Sequence, residues 1–346
     1  MANFRATRRT VLGGMAALGA STLLPRPAQA KGSVVAAMYP GVFEEAYRQA
    51  VAPRLKEVNK IELVLTPLLA LDQIAKAQAA RGRPPFDAFI LDPGPRVTGI
   101  ERDLFQKLDK SKLKNLGQLP AGFVDDWGVN VHAQIVGLAY NPKKVEAPNG
   151  WDDLFSPKYY GKVGLTGFQT TFGTVSLIEI AKIFGGSETN VEPAFVELKK
   201  FLPHVGAIGA PLAMPGLFQQ GEIDVMYTNY QTTMNLKSRG VDIDFAVPKT
   251  GAVAFYTTLH IAKGAADVEN AYQYMDVAVG RDAQMLLQKP PFNLLSVNKG
   301  VGLQPDYPAN LISSHDQMSK FVTHDWTKIN PLRAQWIERF NKEVSK

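Results

Sequence analysis

Short apolar runs alternate with longer amphipathic ones along almost the whole chain, and that alternation limits the folds open to it. Residues 33–38, 61–65 and 86–91 read as strands, the first and third almost wholly apolar. Between them, residues 43–58 and 68–81 carry apolar side chains at helical spacing, with Pro53 expected to break or kink the first helix. The run Asp92-Pro93-Gly94-Pro95 is expected to end the third strand sharply. This order of strand, helix, strand, helix, strand predicts a parallel sheet covered by helices, and so an α/β fold. The alternation resumes with strands at 162–166, 207–210, 223–227 and 243–247 and helices at 175–184, 194–201, 214–220 and from 228 onward. One long helix is expected over 267–285 and another within 322–343.

Two strands are unusually long, 131–140 and 252–262. Strands of that length can run from one sheet into another. A chain of 346 residues is long enough for two domains. The expected architecture is therefore two α/β lobes with two crossover strands at a hinge. Residues 31–138 plus 256–300 form lobe 1, residues 139–255 form lobe 2, and 301–346 form a C-terminal helical segment packing on both. In such sheets ligands bind beyond the carboxyl ends of the strands. Tyr39 and Asp92 stand just past two of those ends, and a cleft between hinged lobes suits capture of a small solute. Gln134 lies on the first crossover strand and points either to the cleft or into the sheet.

The stretch Gly167-Phe-Gln-Thr-Thr-Phe-Gly-Thr174 joins a strand to a helix. Taken alone it reads first as an ordinary connection with a Thr cap. At the mouth of a cleft the same residues do more. Unpaired backbone N–H groups at a helix start, with hydroxyls from Thr170, Thr171 and Thr174, can hold a polar or anionic group. Gln169 adds an amide, and Phe168 and Phe172 add apolar walls.

Charge points away from nucleic acid. The formal charge is +6, but Arg5, Arg8, Arg9 and Arg26 sit in the first thirty residues, which hold no acid. Without those four arginines the charge is +2, and the remaining basic residues are scattered. Residues 1–30 read as an export signal resembling the twin-arginine type: Arg8-Arg9, an apolar run to Leu24, then Ala28-Gln29-Ala30 as a cleavage pattern after Ala30. The expected location is the periplasm. No later run of eighteen uninterrupted apolar residues exists to form a membrane span, and the absence of cysteine excludes a lipid-anchored thioether, a disulfide framework and thiolate chemistry.

Catalytic and metal constellations are thin. Ser111-x-x-Lys114, Ser296-x-Asn298 and Lys249-Thr250-Gly251 match elements of penicillin-recognising serine enzymes, but in the wrong chain order. His132, His204, His260, His315 and His324 are dispersed and show no metal-binding pair spacing. His132 and His260 fall in strands and read as packed or hinge residues. Asp125-Asp126 and Asp152-Asp153 read as structural. No enzyme activity, metal or cofactor is expected.

Several phrases in sequence order resemble the periplasmic solute-binding proteins of ABC importers, in the spermidine/putrescine-binding and ferric-ion-binding class. They are Gly137-Leu-Ala-Tyr-Asn141, Trp151-Asp-Asp-Leu154, Pro157-Lys-Tyr-Tyr-Gly-Lys-Val163, Gln220-Gly-Glu-Ile-Asp224, Val247-Pro-Lys-Thr-Gly251 and Ile261-Ala-Lys-Gly264. The segments 325–329 and 336–341 add to them. The resemblance implies a type II periplasmic-binding fold, a monomer, a small-molecule ligand and an ABC permease in the inner membrane as partner. It also implies a cleft where loops at Tyr39, Asp92, Gln169–Thr174 and Tyr227–Tyr230 meet, with Phe255 and Thr257 on the second crossover. Polyamine binders hold ammonium ends with acids. Here Thr170, Thr171, Thr174 and Thr257 stand where those acids fall. A diamine buried without carboxylates bears a large desolvation cost. The expected ligand is therefore a zwitterionic, amino-acid-like or carboxylate solute rather than a polyamine. Ferric ion is the alternative the class offers, with Tyr227 and Tyr230 as the tyrosines nearest the site.

Overall fold

The computed structural model describes residues 32–344 apart from 81, 305, 306, 308–310 and 313. The expected export signal lies outside them. Ten strands follow in chain order: β1 (Ser33–Met38), β2 (Glu62–Pro67), β3 (Ala88–Leu91), β4 (Val129–Tyr140), β5 (Val163–Thr166), β6 (Ala207–Gly209), β7 (Val225–Asn229), β8 (Asp244–Ala246), β9 (Val253–Ile261) and β10 (Leu295–Ser296). In the first lobe β1 pairs in parallel with β2 on one side and β3 on the other. In the second lobe β5 pairs in parallel with β7 and β6. Every residue of β3, β5 and β7 is buried, which is why these segments are so apolar: helices cover both faces. β2 and β6 are the edges, and their residues are largely exposed or half-buried.

β4 and β9 join the lobes. β9 pairs antiparallel with β3, from Leu91↔Thr258 to Ala88↔Ile261, and with β4, from Val129↔Leu259 to Val136↔Val253. The far half of β4 pairs with β7 and β8 in the second lobe. The hydrogen-bonded order β2-β1-β3-β9-β4-β7-β5-β6 thus runs through both lobes without interruption.

Two main apolar cores flank this path. The first gathers Phe43, Tyr47, Val51 and Leu55 from the first helical segment with Tyr272, Tyr274, Met275 and Leu287 against β1 and β4. The second gathers Trp151, Leu165, Ile178, Phe195 and Phe201 with Trp326, Ile329, Trp336 and Phe340 of the last helix, Trp326–Val344. The spacing of those last four residues is a helical stripe, so the terminal helix buries one face in this core.

Four elements differ from the sequence reading, each for a local reason. The first helical segment does not break at Pro53. It passes through a π-helical turn, Tyr47–Val51, before continuing as Ala52–Asn59, and the wider turn makes room where proline offers no N–H. Pro93 does not simply end β3. It opens a helix, Pro93–Glu101, at the first helical position, where a missing N–H costs nothing. The helix after the 167–174 stretch starts earlier than expected, at Thr171, with Thr170 as its cap. The long helix expected over 267–285 is two, Val268–Val279 and Arg281–Leu287, divided at Gly280.

Asp87, fully buried at the start of β3, ties the first lobe together. Its carboxylate accepts the backbone N–H groups of Val35 (2.9 Å), Ala266 (2.8 Å) and Asp267 (3.3 Å). D87A strands these three donors. Urea unfolding of D87A is expected to show a loss of about 3 kcal/mol or more, with a smaller loss for D87N. An unchanged midpoint would show that these bonds do not hold β1 and the β9–helix turn in place.

Candidate ligand-binding cleft

The carboxyl ends of β1, β3, β5 and β7 point toward one another across the paired β4 and β9. Asp92 stands immediately after β3, at the cap position of the Pro93–Glu101 helix, yet its side chain makes no capping bond to that helix. The carboxylate is used elsewhere. Its Oδ1 accepts from Gln134 Nε2 (3.2 Å) and from the Thr257 hydroxyl (3.2 Å). The hydroxyls of Tyr39 and Thr171 also bond it, and the Tyr39 oxygen accepts the Asp92 backbone N–H at 2.9 Å. Thr171 belongs to the second lobe, so this contact crosses the cleft.

Gln134 extends the network. Its Nε2 also donates to Thr257 Oγ1 (2.5 Å), while its Oε1 accepts from Asn229 Nδ2 (2.9 Å) and Gln231 Nε2 (2.8 Å). All of these side chains are buried except those of Asp92 and Tyr39, which keep partial exposure. Burial pushes the Asp92 carboxyl up to about 6, against the lowering effect of the three hydroxyls and of Arg333. Burial, and then the negative charge of Asp92, push the Tyr39 phenol well above its ordinary value.

The 167–174 stretch forms the opposite wall. Thr170 Oγ1 accepts the Gly173 N–H at 3.2 Å and caps the helix. Thr174 Oγ1 donates to the Phe168 carbonyl (2.8 Å) and accepts from Arg333 Nε (3.1 Å). Gln169 is exposed, and its carbonyl accepts from Arg333 Nη2 at 3.1 Å. Phe172 is half-buried against the second core, and Phe168 packs on Phe340, 4.8 Å between centroids. Arg333 itself comes from the terminal helix and is 8% exposed. Burial pulls its guanidinium down to about 10, and Asp92 and Tyr39 act against that.

Of the residues expected from the sequence, Tyr39, Asp92, Thr171 and Thr257 meet in one network, with Gln169 and Thr170 beside it. The structure places the aromatic candidates differently. Tyr227 is buried, and its hydroxyl accepts the Thr166 N–H at 3.0 Å while donating to the Thr166 carbonyl. That fixes the end of β5 and leaves no hydroxyl hydrogen for a ligand. Tyr230 turns to the first core, against Phe245 and Tyr307. Phe255 is buried in the second core, opposite Gln134 in register. Tyr227 and Tyr230 therefore face different cores and do not form a tyrosine pair. Among the described residues no three or more His, Asp or Glu side chains gather as a metal site would require.

The structure settles Gln134, which the sequence leaves between cleft and sheet, and adds Asn229, Gln231 and Arg333, which the sequence does not single out. Arg333 did leave a signal: a charge in the apolar stripe of the terminal helix, between Ile329 and Trp336. The serine-enzyme phrases are not assembled. Ser111 bonds Asp109 on an exposed turn, and Lys249 pairs with Asp152 at 3.0 Å. His132 and His260 are fully buried on the crossover strands, pushed by burial down to about 3. His132 Nε2 lies 2.9 Å from the Tyr47 hydroxyl, and His260 stacks on Phe105 at 4.1 Å.

Comparison with known proteins gives the same answer from two directions. The chain is 25% identical over 241 residues to the spermidine/putrescine-binding periplasmic protein of Escherichia coli (strain K12), covering 65% of this chain and 63% of that protein. The aligned part thus spans somewhat less than two thirds of that relative. Among solved structures, an ABC transporter substrate-binding protein from Bradyrhizobium japonicum USDA 110 superposes with a TM-score of 0.75 at 20% identity, over 90% of this chain and 99% of the other. The Atu4243–GABA receptor superposes with a TM-score of 0.74 at 18% identity, over 91% and 98%. These likenesses establish the two-lobed periplasmic-binding fold. The model of the family described as bacterial extracellular solute-binding protein matches residues 89–315, and the chain belongs to that family.

Proposed function

We propose that this protein is exported by its N-terminal segment, captures a small zwitterionic or carboxylate solute between its lobes outside the cytoplasm, and delivers it to an ABC permease. The observation that carries the ligand reading is the composition of the cleft network. Among the described residues it contains one carboxylate, Asp92, surrounded by amides and hydroxyls: Gln134, Asn229, Gln231, Thr171 and Thr257. One carboxylate satisfies one ammonium. A polyamine brings at least two, and the second would be buried facing neutral groups and Arg333. The names of curated relatives point to polyamines, while the GABA receptor among the structural neighbours is named for an amino acid. The cleft chemistry favours the second.

Lobe closure supplies the mechanism. Asp92 belongs to the first lobe and Thr171 to the second, so a solute held between them binds the closed arrangement better than the open one. That differential affinity drives closure. The permease then has a closed, loaded form to recognise.

Two outcomes test this. In a thermal-shift screen, an amino acid at a hundred times its Kd is expected to raise the unfolding midpoint by roughly 4 °C, with putrescine and spermidine at the same concentration raising it less. A shift with polyamines alone would reject the ligand reading. The second concerns pH. Because the Asp92 pKa is raised to about 6, the carboxyl is protonated below that value, and an ammonium ligand must displace the proton. Affinity for an amino-bearing solute is therefore expected to be flat above about pH 7 and to fall by up to about tenfold per unit below pH 6. D92N should bind weakly at all pH values and lose that dependence. Calorimetry that finds the same slope in D92N would remove Asp92 from the ammonium site.

A further inference from the structure

Arg333 lies in the stripe of the terminal helix that otherwise buries Trp326, Ile329, Trp336 and Phe340 in the second core. A buried guanidinium is costly unless an anion faces it. Here none touches it. Among the described residues its hydrogen bonds go only to neutral oxygens, the Thr174 hydroxyl at 3.1 Å through Nε and the Gln169 carbonyl at 3.1 Å through Nη2. The Trp326 ring lies 5.4 Å from its Cζ. Two of five N–H groups are thus engaged, and the other three have no hydrogen-bond partner among the described residues.

The nearest carboxylate electrostatically is Asp92. Each group feels the other's charge, but no ion pair joins them, and Asp92 is already held by Gln134, Thr257, Tyr39 and Thr171. The turn that carries Asp92 also lets the guanidinium come close. A Cβ added at Gly94 would lie 2.9 Å from Arg333 Nη1, 2.9 Å from Asn330 Oδ1 and 2.9 Å from Trp326 Cε3. A glycine is needed there because the terminal helix and its arginine occupy that space. One cleft therefore presents a cation from the terminal helix and an anion from the first lobe, each short of an opposite charge.

We propose that Arg333 binds the carboxylate of a zwitterionic solute whose ammonium meets Asp92, which makes the C-terminal helix part of the binding site. The assignment rests on the cleft reading given above and adds to it a residue outside the 89–315 family match. A carboxylate takes two parallel N–H donors from one guanidinium, which fits the free edge of Arg333. The same cation repels the second ammonium of a diamine, so it sets specificity as well as affinity.

The test is calorimetry on the full chain at pH 7.5, using wild type, R333Q and R333K. The probes are the unbranched amino acids from glycine to 6-aminohexanoate, with putrescine. Wild type is expected to bind at least one of the amino acids and to prefer it to putrescine. R333Q is expected to reduce that preference by about 100-fold, by weakening the amino acid and not the diamine. R333K, which keeps the charge but loses the fork, should lose about tenfold and gives the same readout should R333Q not fold. The ratio of the two affinities is the deciding quantity, because an arginine that merely pins the helix changes both ligands alike. An unchanged ratio with amino-acid binding intact would overturn the role of Arg333 and leave the cleft reading standing. Binding of putrescine with no amino acid bound by wild type would overturn both.

Discussion

The antiparallel pairing of β4 with β9 is the constraint on which everything else in the molecule depends. Both strands pass from one lobe to the other, and both carry a polar residue where a buried strand would ordinarily carry an apolar one. Gln134 on β4 and Thr257 on β9 bond each other at 2.5 Å. Buried polar groups are tolerated only when satisfied, and Gln134 is satisfied to its limit. An amide offers two donors and two acceptor sites. Its Nε2 serves Asp92 and Thr257, and its Oε1 receives Asn229 and Gln231. Reversing the amide would set donors against donors at Asn229 and Gln231. The orientation is thereby fixed, and with it the alignment of an Asp92 in the first lobe with two amides in the second.

The hinge adds no charge of its own to this arrangement. His132 and His260 lie on the same two strands, and burial holds both neutral through the ordinary pH range. Each has one nitrogen placed for a hydrogen bond, to Tyr47 and to the Trp127 carbonyl respectively. The electrostatics of the cleft are therefore set by Asp92 and Arg333, with the Tyr39 phenol kept protonated by burial and by Asp92. A floor of neutral amides and hydroxyls leaves the field of those two charges uncancelled. In a site withdrawn from water such charges count for more than the same pair at the surface.

Much of this was legible before the structure. The strand parity, the helix periodicity and the length of the two crossover strands are local properties, and they placed Tyr39 and Asp92 just past strand ends; the family resemblance brought the 167–174 stretch to the same cleft. A threonine cap followed from composition, though not which threonine. What the sequence leaves open has non-local causes. Asp92-Pro-Gly-Pro95 looks like a turn because proline tolerates both a turn and a helix start, and only the helix packed on Gly94 explains the choice. Tyr227 is a ligand aromatic only by the family resemblance, on the strand Val225–Asn229. Its bond to Thr166 spans 61 residues and cannot be read locally. Which face of β4 looks into the cleft is likewise a property of the assembled sheet, so Gln134 stayed ambiguous.

The terminal helix shows how magnitudes decide what holds an element in place. It touches the first lobe through Trp326 and Arg333 packed on Gly94, through the core shared with Val97, and through Asn330, whose Nδ2 donates to the Gly94 carbonyl at 2.6 Å. It touches the second through Ile329, Trp336 and Phe340, all buried in that core, and through the Phe168–Phe340 ring contact. A hydrogen bond contributes about 1 kcal/mol net, whereas burying each large apolar side chain contributes about 2 to 3 kcal/mol. Apolar packing therefore outweighs the polar contact, and it is made with both lobes, since Val97 and the Gly94 turn meet the same side chains. Arg333 bonds Thr174 and Gln169 of the second lobe and so stands across the cleft from Asp92 of the first. The charges that a solute would satisfy come from opposite sides of the cleft, and neither lobe alone holds both.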